Sequence, residues 1–294
     1  MNVDSKAGPV ECNQSLDHSF HDQLCAYIDL MDDAIKNGQQ LPKDAAAGND
    51  IALMPDFIDI ANKKKAGLNA LFCNNPLEMV EKVKQLLLLE KSSARFIVNL
   101  GCGGIHCMAV DCLVSDGKCS LIGIEPVGMN SCGPALLAIR LQSICKRELP
   151  GAYLAIFETD MQRSYGECAM FSLFLVKKMH KESDQFQELH KKNIDQNLPK
   201  SGEIVVSVSQ ANNLLPPSLM KHVQSPKRLE AYLESRPEVS DVVVNKKGET
   251  LLSRQQRYIT TIEAEDKQIT YSASIEHKRL TEVKKTLRIN LIIL

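Results

Sequence analysis

The chain has 294 residues, of which 44% are hydrophobic and 24% charged, a composition typical of a soluble globular protein with a substantial core. This length suits one large domain or two modest ones. No stretch reaches the roughly 18–20 consecutive apolar residues that span a membrane, and the N-terminus lacks the basic start and apolar run of a secretory signal. We therefore expect no stable membrane insertion.

The formal net charge of −1 conceals an asymmetry along the chain. Residues 1–60 hold eleven acidic against three basic residues, whereas residues 221–288 hold fourteen basic against ten acidic residues. A basic C-terminal third can recruit phosphate-bearing partners, although a solvated surface is the commoner reason for such a composition.

Ten cysteines are distributed along the chain, and their spacing matches neither paired zinc ligands nor a small disulfide framework. We expect most of them to be reduced and buried, which predicts a reducing compartment. No metal site is expected.

Hydrophobic periodicity predicts helices and strands in alternation. The N-terminal part is predicted to contain a polar leader over 1–20, a helix over 21–37, a linker over 41–50 and a helix over 76–91. The middle is predicted to contain strands over 94–100, 105–114, 119–125 and 152–158, with a helix over 133–149. The remainder is predicted to contain a buried helix around 169–179, a polar helix over 182–197, a short helix over 227–235, a strand over 240–245 and a basic C-terminal helix. This order indicates an α/β fold with a mixed central sheet flanked by helices.

Asp116-Gly117 lies between two apolar strands and is a strong hairpin signal. An even loop centred there pairs residues whose numbers sum to 233, so Met108 lies opposite Glu125. His106 is then a diagonal neighbour of Glu125 on the same face, about 7–8 Å away at the backbone. An odd loop would send the two side chains to opposite faces. A carboxylate that orients an imidazole is what a general base requires, but a buried structural histidine fits these two residues as well.

Cys168 is the candidate nucleophile. Ser164 and Glu167 fit the S-x-x-E capping box, which places Cys168 in the first turn of an apolar helix, where a thiolate is stabilised. Gln162, on the loop before this helix, has an amide that can donate to an oxyanion. The alternatives are a packed core cysteine and a solvent-facing glutamine.

The chain order His106, Glu125, Gln162, Cys168 resembles the adenain-like and SUMO-protease group of cysteine proteases rather than papain-like enzymes, whose cysteine comes first. Five segments together resemble a narrower group, the YopJ family of bacterial type III effector acetyltransferases. They are "ARFIVNLGCGGIHCMAVD", "IEPVGMNSCGPALLAIR", "DMQRSYGECAMFSLFLVKK", "KHVQSPKRLEAYL" and "VVNKKGETL". The resemblance extends from about residue 50 to 288.

The resemblance implies three regions in the chain. Residues 1–45 would form a flexible leader acting as secretion signal and a first helix. Residues 46–200 would form a cysteine-protease-like catalytic core, and residues 201–294 a helical, basic regulatory region that binds cofactor.

The resemblance also implies a ping-pong acetyl transfer. Cys168 would take the acetyl group from acetyl-CoA as a thioester. His106, oriented by Glu125, would deprotonate a Ser or Thr hydroxyl, or a Lys amine, of a host protein. Gln162 would stabilise the oxyanion.

Inositol hexakisphosphate (IP6) is the activator that the resemblance implies, and convergent basic groups suit such a polyphosphate. The candidate cofactor-binding residues are Lys221, His222, Lys227, Arg228, Lys246 and Lys247. A plain exposed turn explains the last two residues equally well. The implied substrates are host kinases of the MAP kinase kinase class, reached in the host cytoplasm after type III secretion, with no nucleic-acid partner.

The sequence departs from the family pattern at three positions. Ala169 follows the nucleophile where Gly is common, and Cys102 and Cys107 stand where we expect Glu or Ser, and Phe. Two other functions use the same residues: a cysteine protease or ubiquitin/SUMO-like isopeptidase, and a non-enzymatic interaction module.

Overall fold

The computed structural model describes residues 12–89, 91–195, 198, 203–264 and 267–293. Within these ranges the helices are α1 (Cys12–Lys36), α2 (Lys43–Ala52), α3 (Met54–Lys64), α4 (Pro76–Leu86), α5 (Cys132–Glu148), α6 (Cys168–Lys181), α7 (Ser183–Ile194), α8 (Val208–Leu214), α9 (Pro226–Ser235), α10 (Leu251–Arg257) and α11 (Ser274–Ile293). The strands are β1 (Ala70–Cys73), β2 (Lys91–Asn99), β3 (Cys107–Ser115), β4 (Lys118–Glu125), β5 (Tyr153–Glu158), β6 (Val205–Val206), β7 (Ile259–Ala264) and β8 (Lys267–Ser272). Two 3₁₀ segments span Pro217–His222 and Pro237–Val239.

The strands β1 to β6 form one mixed sheet in sequence order. The pairs β2–β3 and β3–β4 are antiparallel, and the pairs β1–β2, β4–β5 and β5–β6 are parallel. Helices precede, connect or follow the parallel strands, as parallel pairing requires. The predicted α/β architecture with a mixed central sheet is confirmed.

The β3–β4 hairpin has the predicted register. Ser115 pairs with Lys118, and Ala109 pairs with Ile124, so paired numbers sum to 233. Asp116 and Gly117 form the turn with φ values of 52° and 70°. Positive φ at both central residues matches the twist of the flanking strands, which is why the Asp-Gly dipeptide fixes an even, two-residue loop.

Helix α6 packs on one face of the sheet, against β2 and β3. Nearly all its residues from Cys168 to Val176 are fully buried, because the helix is apolar on every side. Alternation along β3 sends Cys107 and Ala109 into this α6-side core. Met108 and Val110 belong to the core on the opposite face, which α4 and α5 cover.

Three local predictions are wrong. Residues 43–50 of the predicted linker belong to α2, because three consecutive alanines favour a helix once Pro42 has ended the preceding segment. The predicted strand over 240–245 is irregular, since Val242 and Val243 are exposed and pair with no strand. Helix α1 begins at Cys12, so residues 12–20 of the predicted leader are helical; residues 1–11 lie outside the described residues.

Strands β1, β6, β7 and β8 are absent from the prediction. Helix α7 ends at Ile194, close to the predicted end, and residues 196–197 lie outside the described ranges. Within those ranges, no helix combines the length and the apolar character needed to cross a bilayer.

Candidate active site

His106 and Glu125 meet at the open end of the β3–β4 hairpin. His106 immediately precedes β3, and Glu125 is the last residue of β4. The His106 Nε2 atom lies 2.8 Å from Glu125 Oε2, and the Val127 backbone N–H donates to Glu125 Oε1 at 2.9 Å. The Glu125 side chain is fully buried. Since both carboxylate oxygens are bonded, Glu125 fixes the ring of His106 and leaves Nδ1 facing away from it.

Gly133, in the first turn of α5, lies against His106. A Cβ atom at this glycine would lie 3.2 Å from the Cβ of His106 and 3.3 Å from its Cγ. The missing side chain therefore allows α5 to approach the imidazole and restrict its movement.

Cys168 is the first residue of α6, as its predicted position required, but the predicted capping box is wrong. Glu167, not Ser164, occupies the position before the helix, and its side chain makes no cap hydrogen bond. The Ser164 hydroxyl instead accepts a hydrogen bond from Gln224 Nε2 at 2.7 Å. The start of a helix still favours a negative charge at Cys168, because the backbone N–H groups of a first turn have no acceptor within the helix.

The surroundings of Cys168 favour a thiolate beside an imidazolium. Hydrogen bonding from the Cys107 thiol, followed by hydrogen bonding and charge from His106, holds the pKa of Cys168 well below its ordinary value despite burial. Burial opposes protonation of His106, but the charge of Glu125 and the contact with Cys168 raise the pKa of His106 to about 10. In the neutral form, the Cys168 thiol donates to the Ile105 carbonyl at 3.2 Å, a contact that opposes ionisation. The charge pair prevails because two charge-assisted contacts outweigh one weak thiol hydrogen bond.

Gln162 lines the same open pocket as His106 and Cys168. Its Nε2 donates to the Ser164 carbonyl at 2.8 Å, while its buried Oε1 has no hydrogen-bond partner. The Gln162 backbone N–H donates to the Pro126 carbonyl at 2.9 Å, which ties this loop to the end of β4. The pocket has a volume of about 760 Å³ and is open to the exterior, so a substrate can reach the sulfur.

Gln224 holds the loop before Cys168 in place and is absent from the predicted site. The Gln224 side-chain oxygen accepts hydrogen bonds from the backbone N–H groups of Arg163 and Ser164, at 2.6 and 2.9 Å. Its backbone N–H donates to Met161 and its carbonyl accepts from Ser272. Gln224 lies in the basic segment "KHVQSPKR". The predicted cofactor-binding residues in this segment are the charged residues and the histidine, and they do not include the glutamine.

Arg279 of α11 joins the region before Cys168 to the N-terminal helices. Its guanidinium is completely buried and donates to both carboxylate oxygens of Asp50 in α2, at 2.8–2.9 Å. It also donates to both oxygens of Glu167, at 2.6 and 2.8 Å. The residue preceding Cys168 is therefore fixed by a helix more than one hundred residues further along the chain.

The six predicted cofactor-binding residues do not form one cluster. His222 is buried, with its Nδ1 2.7 Å from Ser274 Oγ, and burial holds its pKa well below the ordinary value. Arg228 is buried and donates to the Thr159 carbonyl and to Asn212. Lys227 is exposed in the first turn of α9, and Lys246 and Lys247 are exposed in the turn after Val244. Lys221 is half-buried in the first 3₁₀ segment, among other cations.

Lys221 belongs to a cationic cluster built from several helices. Its members come from the residue after α3, the end of α6, the first 3₁₀ segment, α10 and α11, and are Lys65, Lys177, Lys178, Lys181, Lys221, Arg254, Lys278 and Lys285. Burial, reinforced by neighbouring cations, lowers the pKa of Lys177 to about 7 and those of Lys178 and Lys221 to about 8. The buried carboxylate of Glu282 pairs with Lys177, Lys278 and Lys285. Such crowding of half-buried cations favours a multiply charged anion.

A buried thiol at a helix start, beside an imidazole held by a carboxylate, is the arrangement of enzymes that transfer acyl groups through cysteine. The profile described as YopJ serine/threonine acetyltransferase matches residues 24–285. The serine/threonine-protein acetyltransferase YopJ of Yersinia pestis is 36% identical over 241 residues, 82% of each chain. YopJ of Yersinia pseudotuberculosis is 35% identical over the same lengths. The chain belongs to the YopJ serine/threonine acetyltransferase family, as the resemblance indicated.

Solved structures agree with this assignment. The structure of AvrA delL154 with IP6 and CoA superposes with a TM-score of 0.80 at 34% identity, covering 91% of this chain and 98% of AvrA. The structure of HopZ1a in complex with IP6 superposes with a TM-score of 0.74, covering 93% of this chain and 96% of HopZ1a. At 20% identity, the HopZ1a likeness concerns the fold alone.

Proposed function

We propose that this chain is a secreted bacterial effector that moves an acetyl group from acetyl-CoA, through a thioester on Cys168, to Ser or Thr hydroxyls of host proteins. The observation that carries the proposal is that Cys168 lines one pocket with His106, whose Nε2 lies 2.8 Å from Glu125 Oε2, in a chain of an acetyltransferase family. The solved AvrA structure with CoA supports the choice of donor.

In the first half-reaction, the Cys168 thiolate attacks the thioester carbonyl of acetyl-CoA and a tetrahedral oxyanion forms. When the intermediate collapses, the bond to the CoA sulfur breaks, and the His106 imidazolium gives its proton to that sulfur. The products are acetyl-Cys168, CoA thiol and a neutral imidazole. The raised pKa of His106, about 10, ensures that the proton is present at the start.

In the second half-reaction, neutral His106 removes the proton from a Ser or Thr hydroxyl as its oxygen attacks the acetyl carbonyl. The leaving thiolate of Cys168 restores the negative charge that raises the pKa of His106, so the imidazolium is re-formed with the proton from the hydroxyl. A Lys amine could react in the same way once it has lost a proton. Each half-reaction thus prepares the protonation state that the next one needs.

Gln162 is proposed as an oxyanion donor, together with backbone N–H groups at the start of α6. It lines the pocket with Cys168, and its loop is fixed by Pro126 and Gln224. One N–H of its amide donates to the Ser164 carbonyl, which leaves the second N–H for an oxyanion.

IP6 is the proposed activator, and the cationic cluster, which includes the sequence-predicted Lys221, fits it better than the other five sequence-predicted residues do. Half-buried amines with lowered pKa values repel one another. Bound phosphates offset this repulsion, so such amines gain the most electrostatic stabilisation from a polyanion. The residues that would hold phosphates are Lys178, Lys221, Arg254 and Lys278.

The chain from about residue 201 onward is proposed as the regulatory region, and α11 as its link to the nucleophile. Lys278 belongs to the cluster, and the adjacent Arg279 bonds to Glu167, the residue before Cys168. A polyanion that fixes α11 would therefore also fix the start of α6.

Host kinases of the MAP kinase kinase class are the proposed substrates, modified in the host cytoplasm, with loss of immune signalling as the consequence. This part of the proposal rests on the family alone, and purified kinases of this class test it directly.

Intact-mass and peptide mass spectrometry after incubation with acetyl-CoA, with and without IP6, test the proposal. We expect an acetyl group on Cys168 and then on the kinase, both dependent on IP6. Cys168→Ala should abolish both, whereas Cys132→Ala, which removes an exposed cysteine of the same pocket, should retain them. Cleavage of a ubiquitin or SUMO fusion without acetyl-CoA would instead support an isopeptidase.

A further inference from the structure

Cys107 lies near the candidate nucleophile and helps to lower its pKa, but no bond to Cys107 forms or breaks in the acetyl transfer described above. It is the first residue of β3, points into the core on the α6 side of the sheet and is fully buried. Its thiol lies close enough to the sulfur of Cys168 that each group shifts the pKa of the other. The Cys168 sulfur also lies 3.2 Å from the carbonyl of Ile105, two residues before Cys107. The end of one strand thus presents a second thiol to the start of α6.

The two sulfurs differ in character. Hydrogen bonding to Cys168, together with burial, holds the pKa of Cys107 well above its ordinary value, whereas that of Cys168 is well below. Cys168 lines the open pocket, which a molecule as small as hydrogen peroxide can enter, and Cys107 does not line it. A reactive, accessible thiolate beside a protected thiol is the arrangement of a peroxide-sensitive cysteine and its resolving partner.

We infer that Cys168 and Cys107 form a peroxide-modification site, in which oxidation of the nucleophile is captured as a reversible Cys107–Cys168 disulfide. The Cys168 thiolate attacks one oxygen of hydrogen peroxide, the O–O bond breaks, and a proton is taken up, giving Cys168 sulfenic acid and water. The Cys107 sulfur then attacks the sulfenic sulfur, the S–O bond breaks, and the hydroxyl leaves as water with the Cys107 proton. Peroxide is reduced and two thiols are oxidised.

The disulfide stops acetyl transfer by Cys168 and also protects Cys168 against further oxidation. Without a nearby thiol, sulfenic acid is oxidised further to sulfinic acid, which ordinary thiols do not reduce. With Cys107 in contact, dithiothreitol restores both thiols by exchange.

Two other cysteine arrangements must be distinguished in the experiment. Cys112 and Cys119 lie on the two paired strands of the hairpin, close enough to shift each other's pKa and away from the pocket. Cys132 is exposed and lines the active-site pocket, so it competes with Cys107 as partner for Cys168.

The test treats the purified full chain with hydrogen peroxide, blocks free thiols, and maps disulfides by peptide mass spectrometry. We expect a Cys107–Cys168 crosslinked peptide, lighter by two hydrogen atoms and lost after dithiothreitol. In Cys107→Ser we expect Cys168 to gain two oxygen atoms. After dithiothreitol treatment, the acetyl-transfer activity that this variant regains should be on the order of one tenth of the activity that the unmodified sequence regains. Cys107→Ala serves as a second variant, and circular dichroism shows which variant is folded.

Cys132→Ser is the matched control and should retain reversible oxidation. A Cys132–Cys168 crosslink would overturn the inference, as would equal recovery of the Cys107 variants and the unmodified sequence. Peptide mapping needs no acetyltransferase activity, so a failed redox inference and a failed functional proposal give different results.

Discussion

Replacing Arg279 by glutamine tests whether the buried ion network stabilises the fold around Cys168. Arg279 is fully buried and donates to both oxygens of Asp50 and both oxygens of Glu167. Glutamine fits the space but leaves two buried carboxylates without a cation. Breaking a buried pair by removing one partner costs about 3–5 kcal/mol, and we expect the free energy of unfolding to fall by that amount.

The fall in the free energy of unfolding caused by Arg279→Gln should become smaller as the pH falls. Burial, only partly offset by Arg279, raises the pKa of Glu167 to about 7. As the pH falls, this carboxyl therefore takes up a proton at a higher pH in the folded state than in the unfolded chain. A group whose folded pKa is raised favours the folded state more as the pH falls. The deficit of Arg279→Gln should therefore be largest near pH 8 and shrink toward about pH 6, because a protonated carboxyl needs no cation.

Urea denaturation followed by circular dichroism measures both effects. Lys284→Gln is the matched control, because Lys284 lies on the same helix and pairs with Asp32 at the surface. An exposed pair contributes about 0–1 kcal/mol, so this control should unfold almost like the unmodified sequence. If Arg279→Gln lost no more than Lys284→Gln, the network would not stabilise the fold.

Three further predictions concern the site and its activator. Glu125→Gln should lower the pKa of His106 from about 10 toward its ordinary value and slow acetyl transfer by about 10²–10⁴-fold; the pH midpoint of Cys168 alkylation by iodoacetamide should rise, and an unchanged midpoint would contradict the charge pair. Gly133→Ala should reduce acetyl transfer while the thermal midpoint changes little, since the new Cβ lies 3.2 Å from the Cβ of His106 and 3.3 Å from its Cγ. Binding of IP6, measured by calorimetry, should weaken as the pH rises through about 8, because amines such as Lys178 lose the protons that phosphates require; Lys178→Arg should reduce this dependence, and an unchanged slope would exclude Lys178 from the phosphate site.

The hairpin and the helix start were predictable because their signals are local. Asp116-Gly117 fixes an even loop, and from that loop the strand period determines which side chains share a face. His106 and Glu125 consequently lie together as the register required. Cys168 was predicted at the right position for a partly wrong reason, since an apolar run located the helix while the capping box did not form.

The failures arise where a local pattern depends on a partner distant in sequence. Val242 and Val243 have strand character but find no neighbouring strand, so they remain exposed in an irregular segment. His222 and Arg228 carry the charge pattern of a phosphate site, yet buried acceptors bind Arg228 and Ser274 lies against His222. A basic motif indicates cations without indicating whether they face solvent or the core.

Arg279 illustrates the same limit most clearly, because its surroundings in the sequence predict the opposite of its role. It lies among lysines on a charged helix, where a solvated side chain is the usual outcome. Its two carboxylate partners lie 229 and 112 residues away, and neither belongs to a recognisable charge pattern. The packing of α2, α6 and α11 brings both buried carboxylates to Arg279. Only an arginine side chain can bond two carboxylates bidentately at once. The position of Cys168 is thus encoded locally by the apolar helix that begins there, whereas the rigidity of that position depends on contacts which the linear sequence does not display.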